Sequence, residues 1–270
     1  MQKTVVTCSL VLFMSMAVAQ DSALYEKKYF ASGKDTLQYR IMYPANYNPA
    51  KQYPLVMFLH GAGHRGTDNT APLIYGGSLF ADAVNRLKYP AIVIFPQCPR
   101  NDFWSRIAVN MKNPTDSLGP LMFPSQYPIG RNLNLVSLLL DSLVASKIAD
   151  NKRIYIGGLS MGGMGTFELL WRKPGFFAAA FPMCGGGDPE KVPVYGSHFP
   201  IWVFHGDQDR TVPVGHSRRM VNALRAAGAH VKYTEYPGVA HNCWINAFAE
   251  PDLLPWLFGQ AGGKSGVLSR

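Results

Sequence analysis

The chain has 270 residues, 26 of them Lys or Arg and 17 Asp or Glu, for a formal charge of +9. Hydrophobic residues make up 47% and charged residues 16%, which excludes a disordered or charge-driven chain. The 26 glycines and 20 prolines are dispersed, which excludes collagen-like and linker-type sequences, and the length suits one large domain rather than two.

The N-terminus carries Lys3, an apolar run from Val5 to Val18 and the small residues Ala17-Val18-Ala19. This pattern reads as a secretory signal over residues 1–19, because the run is too short to cross a bilayer and ends on an A-x-A cleavage site. Cutting after Ala19 takes 19 residues from 270 and leaves 251, with 25 basic against 17 acidic groups, or +8. The expectation is an exported protein, secreted or periplasmic, with no stable membrane association once the signal is removed. Basic residues are scattered and not interleaved with aromatics, so nucleic acid is not an expected partner. Cys98, Cys184 and Cys243 remain after cleavage, an odd number that permits one disulfide or none.

Short β-rich runs lie near 25–30 and 37–43. From Pro54 onward, apolar runs alternate with helical patterns. Leu55–His60, Ala91–Pro96, Ile154–Leu159, Ala178–Met183, Ile201–His205 and Val231–Tyr236 read as strands buried on both faces of a parallel sheet. Leu79–Leu87, Leu133–Ile148, Met161–Trp171 and Ser217–Ala227 read as helices between them. The alternation argues an α/β fold, a mostly parallel central sheet with helices on both faces, in a single domain over 20–270. Residues 97–131 break the rhythm with five prolines and the aromatics Phe103, Trp104, Phe123 and Tyr127. Such a long stretch without a period is expected to be a functional loop at the carboxyl edge of the sheet.

Gly158-Leu159-Ser160-Met161-Gly162 joins a strand to a helix. A serine in so tight a turn is held in a strained backbone, and glycines two positions away remove the clash that side chains would make there. Ser160 is therefore the expected nucleophile. A base and an orienting acid should follow in the order acid, then His. Asp207 and Asp209 both stand at the end of the strand Ile201–His205. Asp209 is favoured for its reach, while Asp207 suits a turn; Asp188 is a weaker rival that suits a cap before Pro189. Of the later histidines, His216 and His230 read as surface residues, whereas His241 follows the last strand and the turn Pro237-Gly238. The backbone amide of Met161 and one from His60-Gly61-Ala62-Gly63 are the expected oxyanion donors, Ala62 first and Gly63 next. Gly63, Phe103 and Trp104 are the candidate substrate-binding residues. His60 and His64 sit on a Gly-rich loop rather than one helix face, so no metal and no cofactor are expected.

These residues, in this order, resemble the α/β-hydrolase superfamily. The blocks His60-Gly61-Ala62-Gly63, Pro96-Gln97-Cys98-Pro99 with Trp104, the Ser160 elbow and His205-Gly206-Asp207-Gln208-Asp209 together resemble secreted esterases related to carbohydrate esterase family 1, which includes feruloyl and acetylxylan esterases. The likeness runs from about Leu37 to Trp256. It implies an α/β-hydrolase fold and a serine carboxylic-ester hydrolase, with a small ester or an esterified plant polysaccharide as substrate. It also implies that the acid is the second aspartate of the HGDQD block, Asp209. The long aromatic segment 97–131 departs from relatives with shorter loops. A serine peptidase of the same fold and a non-catalytic carbohydrate-binding relative are the competing readings.

Overall fold

The computed structural model describes residues 22–109 and 118–262. The signal-peptide expectation for residues 1–19 lies outside the described residues. Two antiparallel strands, β1 (Glu26–Ser32) and β2 (Asp35–Met42), open the chain. They are followed by β3 (Tyr53–Leu59), β4 (Ile92–Gln97), β7 (Ala149–Leu159), β8 (Ala179–Met183), β9 (Pro200–Gly206) and β10 (His230–Tyr236). These eight form one sheet in the order β1-β2-β4-β3-β7-β8-β9-β10. β2 pairs antiparallel with β4, and every pair from β4 to β10 is parallel. This is the α/β-hydrolase fold.

The alternation of side chains explains the unbroken apolar runs. Leu55, Met57, Leu59, Ile92, Ile94, Ile154 and Ile156 face one core. Val56, Phe58, Val93, Phe95 and Tyr155 face the other. Both pleat faces are covered, so neither set can be polar. The first core is closed by α3 (Arg131–Ala145), α4 (Met161–Arg172) and α5 (Gly215–Ala226), which follow α1 and α2 in the chain. The second is closed by α1 (Gly77–Ala81), α6 (Trp244–Ala249) and α7 (Leu253–Phe258). One expected helix, Leu79–Leu87, is two. The chain leaves helical geometry at Asp82 (ψ 132°), whose carboxylate accepts from the Asn85 amide at 2.9 Å and caps α2 (Ala83–Lys88). The polar start of β7, Asp150 to Arg153, also lies outside the apolar run that marked this strand.

The described parts of segment 97–131 are less irregular than its composition implies. They contain a two-residue antiparallel pair, β5 (Ala108–Val109) with β6 (Leu121–Met122). They are anchored at several points. His216 Nε2 bonds the Leu118 carbonyl at 2.7 Å, and Asp102 accepts from the Asn132 amide at the start of α3. His216 is thus buried, contrary to its reading as a surface residue; His230 is exposed.

Candidate active site

Ser160 joins β7 to α4 with φ 53° and ψ −116°, a conformation outside the regions open to ordinary residues. Packing holds it there. Its amide donates to the Met183 carbonyl at 2.9 Å, and its carbonyl accepts from the Met164 amide at 3.0 Å. A Cβ on Gly162 would stand 1.8 Å from the Leu59 carbonyl oxygen, and one on Gly158 would stand 2.4 Å from the Gly162 oxygen. Only glycine permits α4 to start this close to β3 and β7.

β9 ends at Gly206, and the two aspartates beyond it divide the work. Asp207 Oδ1 accepts from the Gly238 amide at 2.7 Å and so ties the β9 loop to the turn before His241. Asp209 is buried. Its Oδ1 accepts from the Thr211 and Val212 amides, each at 2.9 Å. Its Oδ2 accepts from His241 Nδ1 at 2.6 Å, with His205 Nε2 at 3.2 Å. Burial alone would raise this carboxyl's pKa. The donors from His205, His241 and Val212 outweigh burial and hold it well below the usual carboxylate range. A carboxylate only accepts, so Nδ1 of His241 carries the proton and Nε2 presents its lone pair to Ser160 Oγ at 2.9 Å. The structure thus brings Ser160, His241 and Asp209 into one hydrogen-bonded chain. It can take a proton from the serine hydroxyl while stabilising the imidazolium that forms.

The expected oxyanion donors flank this serine. Met161 is the first residue of α4, and Ala62 is the first of a 3₁₀ turn, Ala62–His64, so neither amide has an intrahelical acceptor. A Cβ on Gly61 would lie 3.7 Å from the Cβ of Ser160, which places this turn beside the nucleophile. His60 fixes the turn from beneath. Its Nε2 accepts from the Cys98 amide at 3.0 Å, so Nδ1 carries the proton and donates to the Gly61 carbonyl at 2.7 Å. That carbonyl belongs to the same peptide plane as the Ala62 N–H, so His60 sets the direction of the donor. Burial pushes the His60 pKa down to about 4, which keeps the ring neutral. Both nitrogens are engaged, so the His60 and His64 pair is not arranged as a metal site.

Trp104 does not serve as a binding platform. It is 0% exposed, its Nε1 donates to the His60 carbonyl at 3.0 Å, and Gly165 accommodates its Cβ. An aromatic in a Pro-rich loop is here a core residue, because the loop folds back onto α4. Phe103 is 43% exposed and lies under the guanidinium of Arg65 at 4.2 Å. Gly63 opens onto free space.

Several residues near the site had no role assigned from the sequence. His205, inside a buried strand, supports Asp209; a histidine in an apolar run was its one signal. Cys184 has φ 39° and is buried with Cys243, and all three described cysteines are free thiols. Donor atoms of Cys184, Asp209 and His241 lie within 4.8 Å of one another, but the aspartate and imidazole are already bonded to each other. Burial, then the Cys243 thiol, pushes the Cys184 thiol well up, against the thiolate that a metal would need. Trp244 packs its ring against His241, and Tyr75 packs against Trp244.

Comparison with known proteins follows the same lines. The phospholipase/carboxylesterase family model matches residues 47–250. Acyl-protein thioesterase 1 of Neurospora crassa is 35% identical over 121 residues, 42% of this chain and 49% of that protein. The crystal structure of a thermostable esterase is similar with a TM-score of 0.78 at 35% identity, covering 90% of this chain and 64% of that one. The chain therefore spans about half of the curated relative and just under two thirds of the esterase. A ferulic acid esterase from Anaeromyces mucronatus, with a TM-score of 0.61 at 15% identity over 87% of this chain and 90% of that one, shares the fold. The chain belongs to the phospholipase/carboxylesterase family of α/β-hydrolases.

Proposed function

We propose that this protein is an exported serine carboxylic-ester hydrolase that removes feruloyl or acetyl groups from plant cell-wall polysaccharide through an acyl-enzyme. The observation that carries the reading is the bonded chain from Ser160 through His241 to Asp209 at a strand-to-helix elbow. His241 takes the Ser160 proton as Oγ attacks the ester carbonyl. The oxygen of the tetrahedral intermediate is held by the Met161 and Ala62 amides. His241 then protonates the leaving alcohol, and a water activated by the same imidazole hydrolyses the acyl-enzyme. Export rests on the pattern of residues 1–19, and the polysaccharide substrate rests on the sequence blocks that resemble carbohydrate esterases.

The similarity to an acyl-protein thioesterase favours a second reading, in which the same machinery cleaves a thioester. Labelling of Ser160 by a fluorophosphonate, with rates on acetyl, feruloyl and thioester substrates, tests both. Labelling lost in Ser160→Ala together with fastest turnover of cell-wall esters is the expected result. A thioester rate exceeding every ester rate would select the second reading, and an unlabelled wild type would sink both.

A further inference from the structure

We propose that Tyr75 and Trp244, continued by His64, form a binding wall for the sugar ring of the leaving alcohol. The inference rests on the hydrolase reading above and names the side of the site that this reading leaves open. Trp244 stands three residues past His241 at the start of α6, and its ring meets the His241 imidazole edge to face at 5.5 Å and 90°. Tyr75 lies 5.2 Å from Trp244, and His64 lies 5.2 Å from Tyr75. His64 closes the turn that begins with Ala62, so the rings run from the imidazole to the oxyanion turn along one flank of Ser160.

The proton path assigns that flank. His241 must bring Nε2 within hydrogen-bond reach of the leaving oxygen to protonate it. Whatever is attached to that oxygen is therefore carried toward the groups bordering the imidazole, while the acyl group remains on Ser160 and points elsewhere. The three rings are each partly exposed, and Ile74 and Ile245, next to Tyr75 and Trp244 in the chain, are 60% and 58% exposed, so these two stretches offer apolar groups to a ligand. Burial holds the His64 imidazole below its usual pKa, so the wall carries no charge at neutral pH. Flat faces with a phenol and an imidazole as polar tips match a sugar ring, whose C–H faces stack while its hydroxyls bond at the rim.

The test uses two substrates with one acyl group, acetylated xylo-oligosaccharide and ethyl acetate, with 4-nitrophenyl acetate as an aryl control. In Trp244→Ala and Tyr75→Ala, kcat/KM on the oligosaccharide should fall at least tenfold further than on ethyl acetate, chiefly through KM. Trp244→Phe should restore most of that difference. Equal losses on the two substrates would mean that the rings only brace His241, and no loss would mean that they touch nothing; either overturns the wall. An excess loss confined to 4-nitrophenyl acetate would assign it to aryl groups and overturn the sugar. A wild type active on ethyl acetate but inert on the oligosaccharide would sink the polysaccharide reading, and an enzyme not labelled at Ser160 would sink the hydrolase reading itself.

Discussion

Asp209 shows how a single carboxylate is prepared for its role. Two backbone amides hold Oδ1, and two imidazoles meet Oδ2, so the group stays ionised although its side chain is shut off from water. Asp209→Asn replaces an acceptor with a group that can donate to His241 and so favours the wrong tautomer. We expect kcat to fall by about 10⁴-fold with the fold intact. Asp207→Asn keeps an oxygen that can accept from the Gly238 amide and should cost less than about tenfold, a contrast that steady-state kinetics on one ester resolves. At His60 the effect is indirect. His60→Gln removes the ring that bridges Cys98 to Gly61 and lets the Ala62 amide turn away. Losing an oxyanion donor outright costs about 10² to 10³ in kcat, so misdirecting one should cost on the order of tenfold or more, with KM little changed. A KM rise with unchanged kcat would refute this assignment.

At the scale of elements, the site depends on how closely α4 approaches the sheet. The strained Ser160 backbone, costing about 1 to 3 kcal/mol, survives because β3, β7 and β8 surround it on three sides. Gly162→Ala would drive a methyl into the Leu59 carbonyl at 1.8 Å, which neither backbone can relieve, so little soluble folded protein is expected. Gly63→Ala supplies the control. It lies in the neighbouring turn with no atom within 4 Å of the added carbon, and its thermal midpoint should stay within a few degrees of wild type. Far-UV circular dichroism melts of the two proteins make the comparison. The same logic explains how the start of segment 97–131 is held. Trp104 fills the space over Gly165, and its indole donates to the backbone of β3's end, so the loop is part of the core before it reaches the surface.

For the whole molecule, two apolar cores on the sheet's faces carry stability, and pH acts on it through a few buried groups. His60 has its pKa lowered from 6.5 to about 4 in the folded chain. The unfolded state therefore binds more protons between these values, and stability falls as pH drops from about 6.5 to 4, by on the order of 3 kcal/mol in total. Asp209 adds a separate loss at lower pH. Its folded pKa is depressed, so its contribution is present above the ordinary carboxylate value and disappears as pH falls through and below it. Urea denaturation at pH 7, 5.5 and 4 should show the first loss in wild type and a flatter profile in His60→Gln. A wild-type midpoint unchanged from pH 7 to 4 would contradict the buried neutral imidazole.

Much of this was legible without coordinates, and the reason is local. A strand covered on both faces must be apolar throughout, so β3, β4, β8 and β9 stand out from composition alone. The elbow needs glycines at fixed offsets from Ser160, and the order of strands then places Asp207, Asp209 and His241 at one edge of the sheet. What stayed hidden depends on contacts distant in sequence. His60 is 38 residues from Cys98 and 44 from Trp104. Both aspartates of the HGDQD block stand at the right edge, and the loop's path takes Asp207 to the Gly238 turn and Asp209, the one favoured for its reach, to His241. Trp104, read as a substrate-binding candidate, and His216, read as a surface residue, are both buried because the described parts of segment 97–131 pack against α4 and α5. Periodicity records how a segment meets the sheet, whereas the packing of a loop without a period is decided by the surface it lands on.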